Sequence, residues 1–263
     1  MNEYIDIGVN LTGSSFRNDL DEVVQRALDA GVSQMIVTGT DIHHSQAALE
    51  LSRSYPGVLV STAGVHPHHA SEFDENTISS LRDLCAEESV VAVGECGLDY
   101  NRNYSNPGEQ RSAFEAQLQL ACELRLPVFL HQRDAHDDFV RMISEYRDGL
   151  TAAVAHCFTG SEDEALEYLA MDMYIGITGW ICDERRGGDL QRAVRSIPVD
   201  RIMLETDAPY LLPRDLEQQS VHKRRNEPCY LPHICDVTAK HMSVEHQQLA
   251  HAALENTRRF FIL

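Results

Sequence analysis

Val90-Val91-Ala92-Val93-Gly94-Glu95-Cys96-Gly97-Leu98-Asp99-Tyr100 decides how this chain is read. The short run of valine and alanine is too brief for a helix and reads as a strand buried on both faces. It ends in a carboxylate set between two glycines, so Glu95 is expected at the strand tip. A charge there is costly unless a cation, a metal or a substrate proton pairs with it.

The same rhythm repeats on either side of this stretch. Strands are expected at 4–10, 35–38, 58–63, 127–131, 152–156, 173–177 and 201–207. Helices are expected at 19–30, 43–54, 78–85, 110–124, 139–146, 162–171 and 190–196. Gly31 ends the first helix and Pro56-Gly57 breaks the second. About eight strand–helix units with no low-complexity linker predict an α/β fold, a (β/α)8 TIM barrel forming a single domain over residues 1–263. A doubly wound open sheet is the rival, but it normally carries a Gly-rich phosphate turn after its first strand. Gly8-Val9-Asn10-Leu11-Thr12-Gly13 matches that turn poorly.

Composition narrows the function. With 22 Lys and Arg against 41 Asp and Glu, the formal charge of −19 argues against diffuse attraction to nucleic acid. Phosphate chemistry stays open, because a bound divalent metal can dominate the local field. No apolar run approaches the ~20 residues that span a bilayer. The first residues lack a basic n-region and an apolar h-region, so no signal peptide is expected. Seven cysteines without a CxxC pair predict reduced thiols in the cytoplasm and no structural zinc.

Glu95, His131, His156 and Asp207 fall at expected strand ends, and His66 lies just past another. In a barrel those ends share the face on which the active site is built. Taken singly, each has a plain structural reading. A histidine after a strand can hydrogen-bond to backbone in a loop, and either acid can cap the next helix. Four such groups at equivalent places point instead to a metal or catalytic site. The set is free of thiolate and suits a divalent metal that activates water and polarises the bond to be cut. Asp207 is suited to accept the water's proton, to hold the metal, or both. Cys96 and Cys157, beside two of these residues, are read as inert packing.

The ordered segments Gly64-Val65-His66-Pro67-His68, Gly94 to Tyr100, His131-Gln132-Arg133-Asp134-Ala135, His156-Cys157-Phe158-Thr159-Gly160, Glu205-Thr206-Asp207-Ala208-Pro209-Tyr210 and Arg225-Asn226-Glu227-Pro228 resemble the TatD family of metal-dependent deoxyribonucleases. The resemblance spans almost the whole chain. It implies a TIM barrel that hydrolyses phosphodiesters, with Glu95, His131 and His156 as metal ligands. It implies Asp207 as ligand and proton acceptor. Most of the family opens with Asp-x-His-x-His, whereas this chain has Asp6-Ile7-Gly8-Val9-Asn10. That opening, with Asp183-Glu184-Arg185-Arg186-Gly187, resembles the branch that gives the family its name. It implies a magnesium-dependent 3′–5′ exonuclease on single-stranded DNA and RNA, with DNA repair as a place of use. Loss of two imidazoles favours Mg²⁺ or Mn²⁺ over Zn²⁺. His66, His68 and Arg133 are taken as substrate contacts, and Glu95 and Asp207 as the catalytic pair.

The segment from His222 to Arg225 is the densest basic cluster in this acidic chain. As a charge run it reads as a solvated loop; above a barrel mouth, Arg224 and Arg225 would contact phosphate. Trp180, the only tryptophan, either stacks on a base or packs under its loop. The rival functions are an amide or ester hydrolase using the same chemistry, and an inactive metal-binding or interaction module. The basic segment favours phosphodiesters over the former, and the four costly site residues speak against the latter. No membrane and no obligate protein partner are expected.

Overall fold

The computed structural model describes residues 2–216 and 224–263, so His222 and Lys223 of the basic cluster lie outside the described residues. Strands are β1 Tyr4–Val9, β2 Val32–Val37, β3 Leu59–Ala63, β4 Val90–Asp99, β5 Val128–Arg133, β6 Ala153–Ala155, β7 Tyr174–Ile177 and β8 Ile202–Leu204. Helices are α1 Leu20–Asp29, α2 Ile42–Ser54, α3 Glu75–Cys85, α4 Pro107–Leu124, α5 His136–Tyr146, α6 Glu162–Ala170, α7 Gly188–Ala193, α8 Leu231–Met242 and α9 His246–Phe261. The strands run in chain order and the described pairings are parallel, which is the (β/α)8 TIM-barrel class expected. No described helix is long and apolar enough to cross a membrane.

Contacts divide the chain into two compact units, one of residues 1–37, 157–169 and 174–263, the other of residues 38–156 and 170–173. In the second unit β4 is buried at every position, from its opening Val-Val-Ala-Val run through Glu95 to Asp99. The strand does not end at Glu95, as the sequence suggested, but continues to Asp99. Its two glycines are what let it continue. Gly97 has φ +143°, and a Cβ there would lie 1.9 Å from the His131 carbonyl oxygen. Gly94 has the same φ, and its Cβ would lie 2.2 Å from the Phe129 oxygen. Only glycine permits that torsion and that approach. The pairing with β5 shifts register between Gly94 and Cys96, then runs on through Gly97↔His131 to Asp99↔Arg133.

Helix α4 pins two of the site's segments. It starts at a capping box in which Asn106 accepts from Glu109 N and the Glu109 side chain accepts from Asn106 N. Gln110 and Gln117, two turns apart on α4, are fully buried. Gln117 Oε1 accepts from Val65 N at 2.7 Å and its Nε2 donates to Val65 O at 3.1 Å. Gln110 does the same for Asp99, accepting from N at 2.8 Å and donating to O at 2.9 Å. A helix amide thus replaces a strand partner for the residues that precede His66 and follow Leu98.

In the first unit β1 pairs with β2, β7 pairs with β8, and Val9 bridges to Ala208. Buried Asp6 of β1 accepts from Thr206 N at 2.9 Å, Gly8 N at 3.3 Å and the Thr206 hydroxyl at 2.5 Å. Burial is the largest influence on its carboxyl and, with Glu205 nearby, pushes it from 3.8 up to about 7 despite those hydrogen bonds. The neutral form is therefore favoured in the folded state. Well below pH 3.8 Asp6 is protonated in both states and nothing is lost. As pH rises from 4 to 7 the unfolded chain ionises first, and the fold is destabilised by up to about 4 kcal/mol. Asp6→Asn keeps an acceptor for both N–H groups and removes the titration. Urea titrations at pH 4, 5.5 and 7.5 are expected to show the variant gaining on wild type as pH rises, and a pH-independent difference would contradict this.

Candidate active site

Four of the expected residues converge in the second unit. Glu95 Oε1 lies 2.7 Å from His156 Nε2, 3.1 Å from His131 Nδ1 and 3.4 Å from His66 Nε2. Glu95, His66 and His156 are buried, and His131 is partly so. Each comes from a different element. Glu95 lies within β4 and His131 within β5, His156 follows β6, and His66 caps the short 3₁₀ turn Pro67–Glu72. His156 is held by its N–H to Leu130 O at 2.9 Å and by its ring against Phe129, with centroids 4.4 Å apart.

Asp99 stands behind this group, and the sequence reading passed it over. It closes β4, is 1% exposed, and receives His131 Nε2 at 3.2 Å and His68 Nε2 at 3.0 Å on one oxygen. Its other oxygen accepts from Asn101 N at 3.0 Å and Arg102 N at 2.8 Å. The signal was present in Gly97-Leu98-Asp99, an acid at the true end of a buried strand. It was obscured by placing the strand end at Glu95.

Burial raises the Glu95 carboxyl, but the charge of His156 and hydrogen bonds from His131 and His156 outweigh it and hold it well below the usual carboxylate range. Asp99 is likewise lowered, burial being overcome by His131 and the Arg102 amide. Burial keeps His66 neutral. For His131 burial works downward, yet its bonds to Asp99 and Glu95 prevail and raise it.

These contacts test whether a cation fits. His131 faces a carboxylate oxygen with each ring nitrogen, at 3.1 and 3.2 Å. A neutral imidazole has one N–H. If Nε2–H donates to Asp99, the Nδ1 lone pair confronts a Glu95 oxygen, and only a cation or a further proton reconciles them. A histidine whose far nitrogen donates to a carboxylate is the usual metal-ligand arrangement. The group is free of thiolate and fits a divalent ion. His66 differs, although its Nε2 is close enough to join a ligand cluster with Glu95 and His131. Its Nδ1 accepts from His68 N at 3.1 Å, so the ring hydrogen sits on Nε2. His66 is a donor here, suited to an anion.

In the first unit Asp207, at φ +53°, donates its N–H to Gly8 O at 2.9 Å. Its Oδ1 accepts from Asn10 Nδ2 at 3.0 Å. Asn10 thus supplies an amide donor where the family pattern has an imidazole. Arg225, expected at a phosphate, has its Nη atoms on Ser15 O, Asp19 and buried Glu227 at 2.6–2.8 Å. Its place in the structure is an ion-pair network shared with Arg26, which reaches the same two carboxylates. Arg224 is exposed and lines a groove with Arg185, Arg186 and Arg214. Trp180 is covered by Arg186, whose guanidinium carbon lies 4.3 Å from the ring centroid. Arg133 closes β5 with an exposed side chain.

Because Asp99 fixes His131 and His68, Asp99→Ala is expected to weaken Mn²⁺ binding about 10–100-fold. Titration calorimetry on wild type and variant, with circular dichroism to verify the fold, measures this. Equal affinities would remove Asp99 from the account.

The chain matches the family model described as TatD related DNase over residues 5–262. It is 53% identical over 258 residues to a Yersinia pseudotuberculosis protein named 3′-5′ ssDNA/RNA exonuclease TatD, covering 98% of this chain and 99% of that one. A protein of the same name from Erwinia tasmaniensis is also 53% identical over 258 residues, with the same coverage. Among solved structures, a TatD family hydrolase from Entamoeba histolytica superposes with TM-score 0.90 at 28% identity, over 99% of this chain and 98% of that one. The Escherichia coli TatD homolog YjjV superposes with TM-score 0.89 at 27% identity, over the same shares.

Proposed function

The chain belongs to the TatD-related DNase family, and we propose that it is a metal-dependent nuclease that removes nucleotides from the 3′ end of single-stranded DNA and RNA. The observation that carries this reading is the convergence of His131, His156 and His66 on one Glu95 oxygen, backed by Asp99. Relatives over half identical across nearly their whole length are named for that exonuclease activity. Glu95, His131 and His156 are assigned to hold the ion, with Asp207 as a further ligand. Mg²⁺ is the assigned ion and Mn²⁺ its substitute, because Gly8 and Asn10 stand where two more imidazoles would favour zinc.

When bound, the ion supplies positive charge for the phosphate and lowers the pKa of water. The rest is done by the chain. His66 presents a neutral Nε2–H to a non-bridging phosphate oxygen. Asp207 takes the proton of the attacking water, and the Asn10 amide fixes which way its carboxylate faces. His68, Arg133 and Arg224 add contacts to the substrate, while Arg225 stays with Asp19 and Glu227.

Metal-stripped protein given 5′-labelled single-stranded DNA is expected to be inert and, on adding Mg²⁺ or Mn²⁺, to shorten the strand one nucleotide at a time. His131→Ala should lower that rate by more than about 100-fold, beyond the range seen for outer partners of a ligand. A single internal cut, or full activity after chelation, would contradict the reading.

A further inference from the structure

Tyr104 is 66% exposed, one of very few large apolar side chains so placed among the described residues. Its ring lies 4.8 Å from that of His68, at 80° between planes. His68 in turn meets His66 edge-on at 4.3 Å and donates to Asp99. An aromatic ring therefore stands in solvent beside the cluster that holds the proposed reaction centre.

A floppy exposed tyrosine would mean little, but this one is presented from a fixed loop. On one side of it Asp99 accepts from Asn101 N and Arg102 N, and Asn103 Nδ2 donates to Tyr100 O at 2.6 Å. On the other, Ser105 is 1% exposed. Its hydroxyl donates to His68 O at 3.2 Å and accepts from Ser71 N at 2.9 Å. Gln110 of α4 holds the Ser105 carbonyl at 2.9 Å. Both flanks are tied to the backbone that carries His68 and Asp99. Because the two rings are nearly perpendicular, they do not stack, and the exposed ring keeps face area for another flat ring.

We propose that Tyr104 is the platform on which the base of the 3′-terminal nucleotide stacks, placing its phosphodiester at the His66–Glu95 cluster. This rests on the nuclease reading above. Stacking needs no charge, and so supplies a binding term that an acidic chain of formal charge −19 can use without long-range attraction. Every base has a π face and the sugar takes no part, so one platform serves DNA and RNA alike. Base–aromatic stacking of this kind is worth roughly 5- to 150-fold in affinity.

The test uses 5′-labelled single-stranded oligonucleotides that are identical except at the 3′-terminal residue, which carries a base or is an abasic tetrahydrofuran. Wild type is expected to show a KM at least about 5-fold lower for the base-bearing strand. Tyr104→Ala should raise that KM to the abasic value and leave the abasic KM unchanged, while Tyr104→Phe behaves as wild type. The same comparison, read as equilibrium affinity by fluorescence anisotropy in Ca²⁺, needs no turnover. If that affinity shows the coupling while no strand is shortened in Mg²⁺ or Mn²⁺, the platform stands and the nuclease reading falls. If strands are shortened but Tyr104→Ala changes both substrates equally, or neither, the platform is overturned.

Discussion

Glu95 Oε1 lies within 3.4 Å of three imidazole nitrogens, and a single carboxylate oxygen can hold that company only if protons or a cation lie between. The surroundings leave little room for relaxation. Glu95 sits within a fully buried strand, His156 is wedged against Phe129, and His131 is tied at its far nitrogen to Asp99. Replacing one partner leaves the others facing an uncompensated buried charge, which is among the most expensive changes a protein interior can suffer. The second unit is arranged so that this costly group exists at all.

Two features of the backbone make the arrangement possible. At Gly97 the β4 chain passes so close to the His131 carbonyl that no side chain fits, and this brings Glu95 and Asp99 alongside the two nitrogens of one ring. Helix α4 supplies the other, with buried Gln110 and Gln117 acting as surrogate strand partners for Asp99 and Val65. Glutamine on a helix is ordinarily a solvent-facing residue, and full burial of both is explained by the two backbone groups each one satisfies. The loop that presents Tyr104 is tied on both sides, by Asp99 to Asn101 N and Arg102 N and by Ser105 to His68 O and Ser71 N.

The strand–helix alternation was legible because buried parallel strands are short apolar runs separated by periodic helices, the first two of which stop at Gly31 and Pro56-Gly57. Glu95, His131, His156 and His66 were legible as chemistry-bearing residues at or beside those runs. The extent of β4 was not, because a strand that crosses two glycines and a carboxylate, with its register shift at Glu95 between Gly94 and Cys96, looks finished there. That error hid Asp99. Helices α8 and α9 went unread, since nothing after Asp207 alternates with a strand. Arg225 looked like a phosphate contact because a basic run announces its charge but not its partners. Asp19 and Glu227 lie 206 residues before it and two after it, and only the folded chain brings both to one guanidinium. Asn10 was read as a missing ligand, whereas the structure gives it work as the amide that orients Asp207.

The account turns on where the ion binds. Crystals grown with Mn²⁺ and measured above and below the manganese absorption edge would give an anomalous difference map that locates it directly. The account predicts a peak bounded by Glu95 Oε1, His131 Nδ1 and His156 Nε2, with His66 keeping its bond from His68 N. A peak only at another cluster, such as Asp41, His43 and His44, or His66 Nε2 bound to the ion with its Nδ1 bond broken, would contradict it.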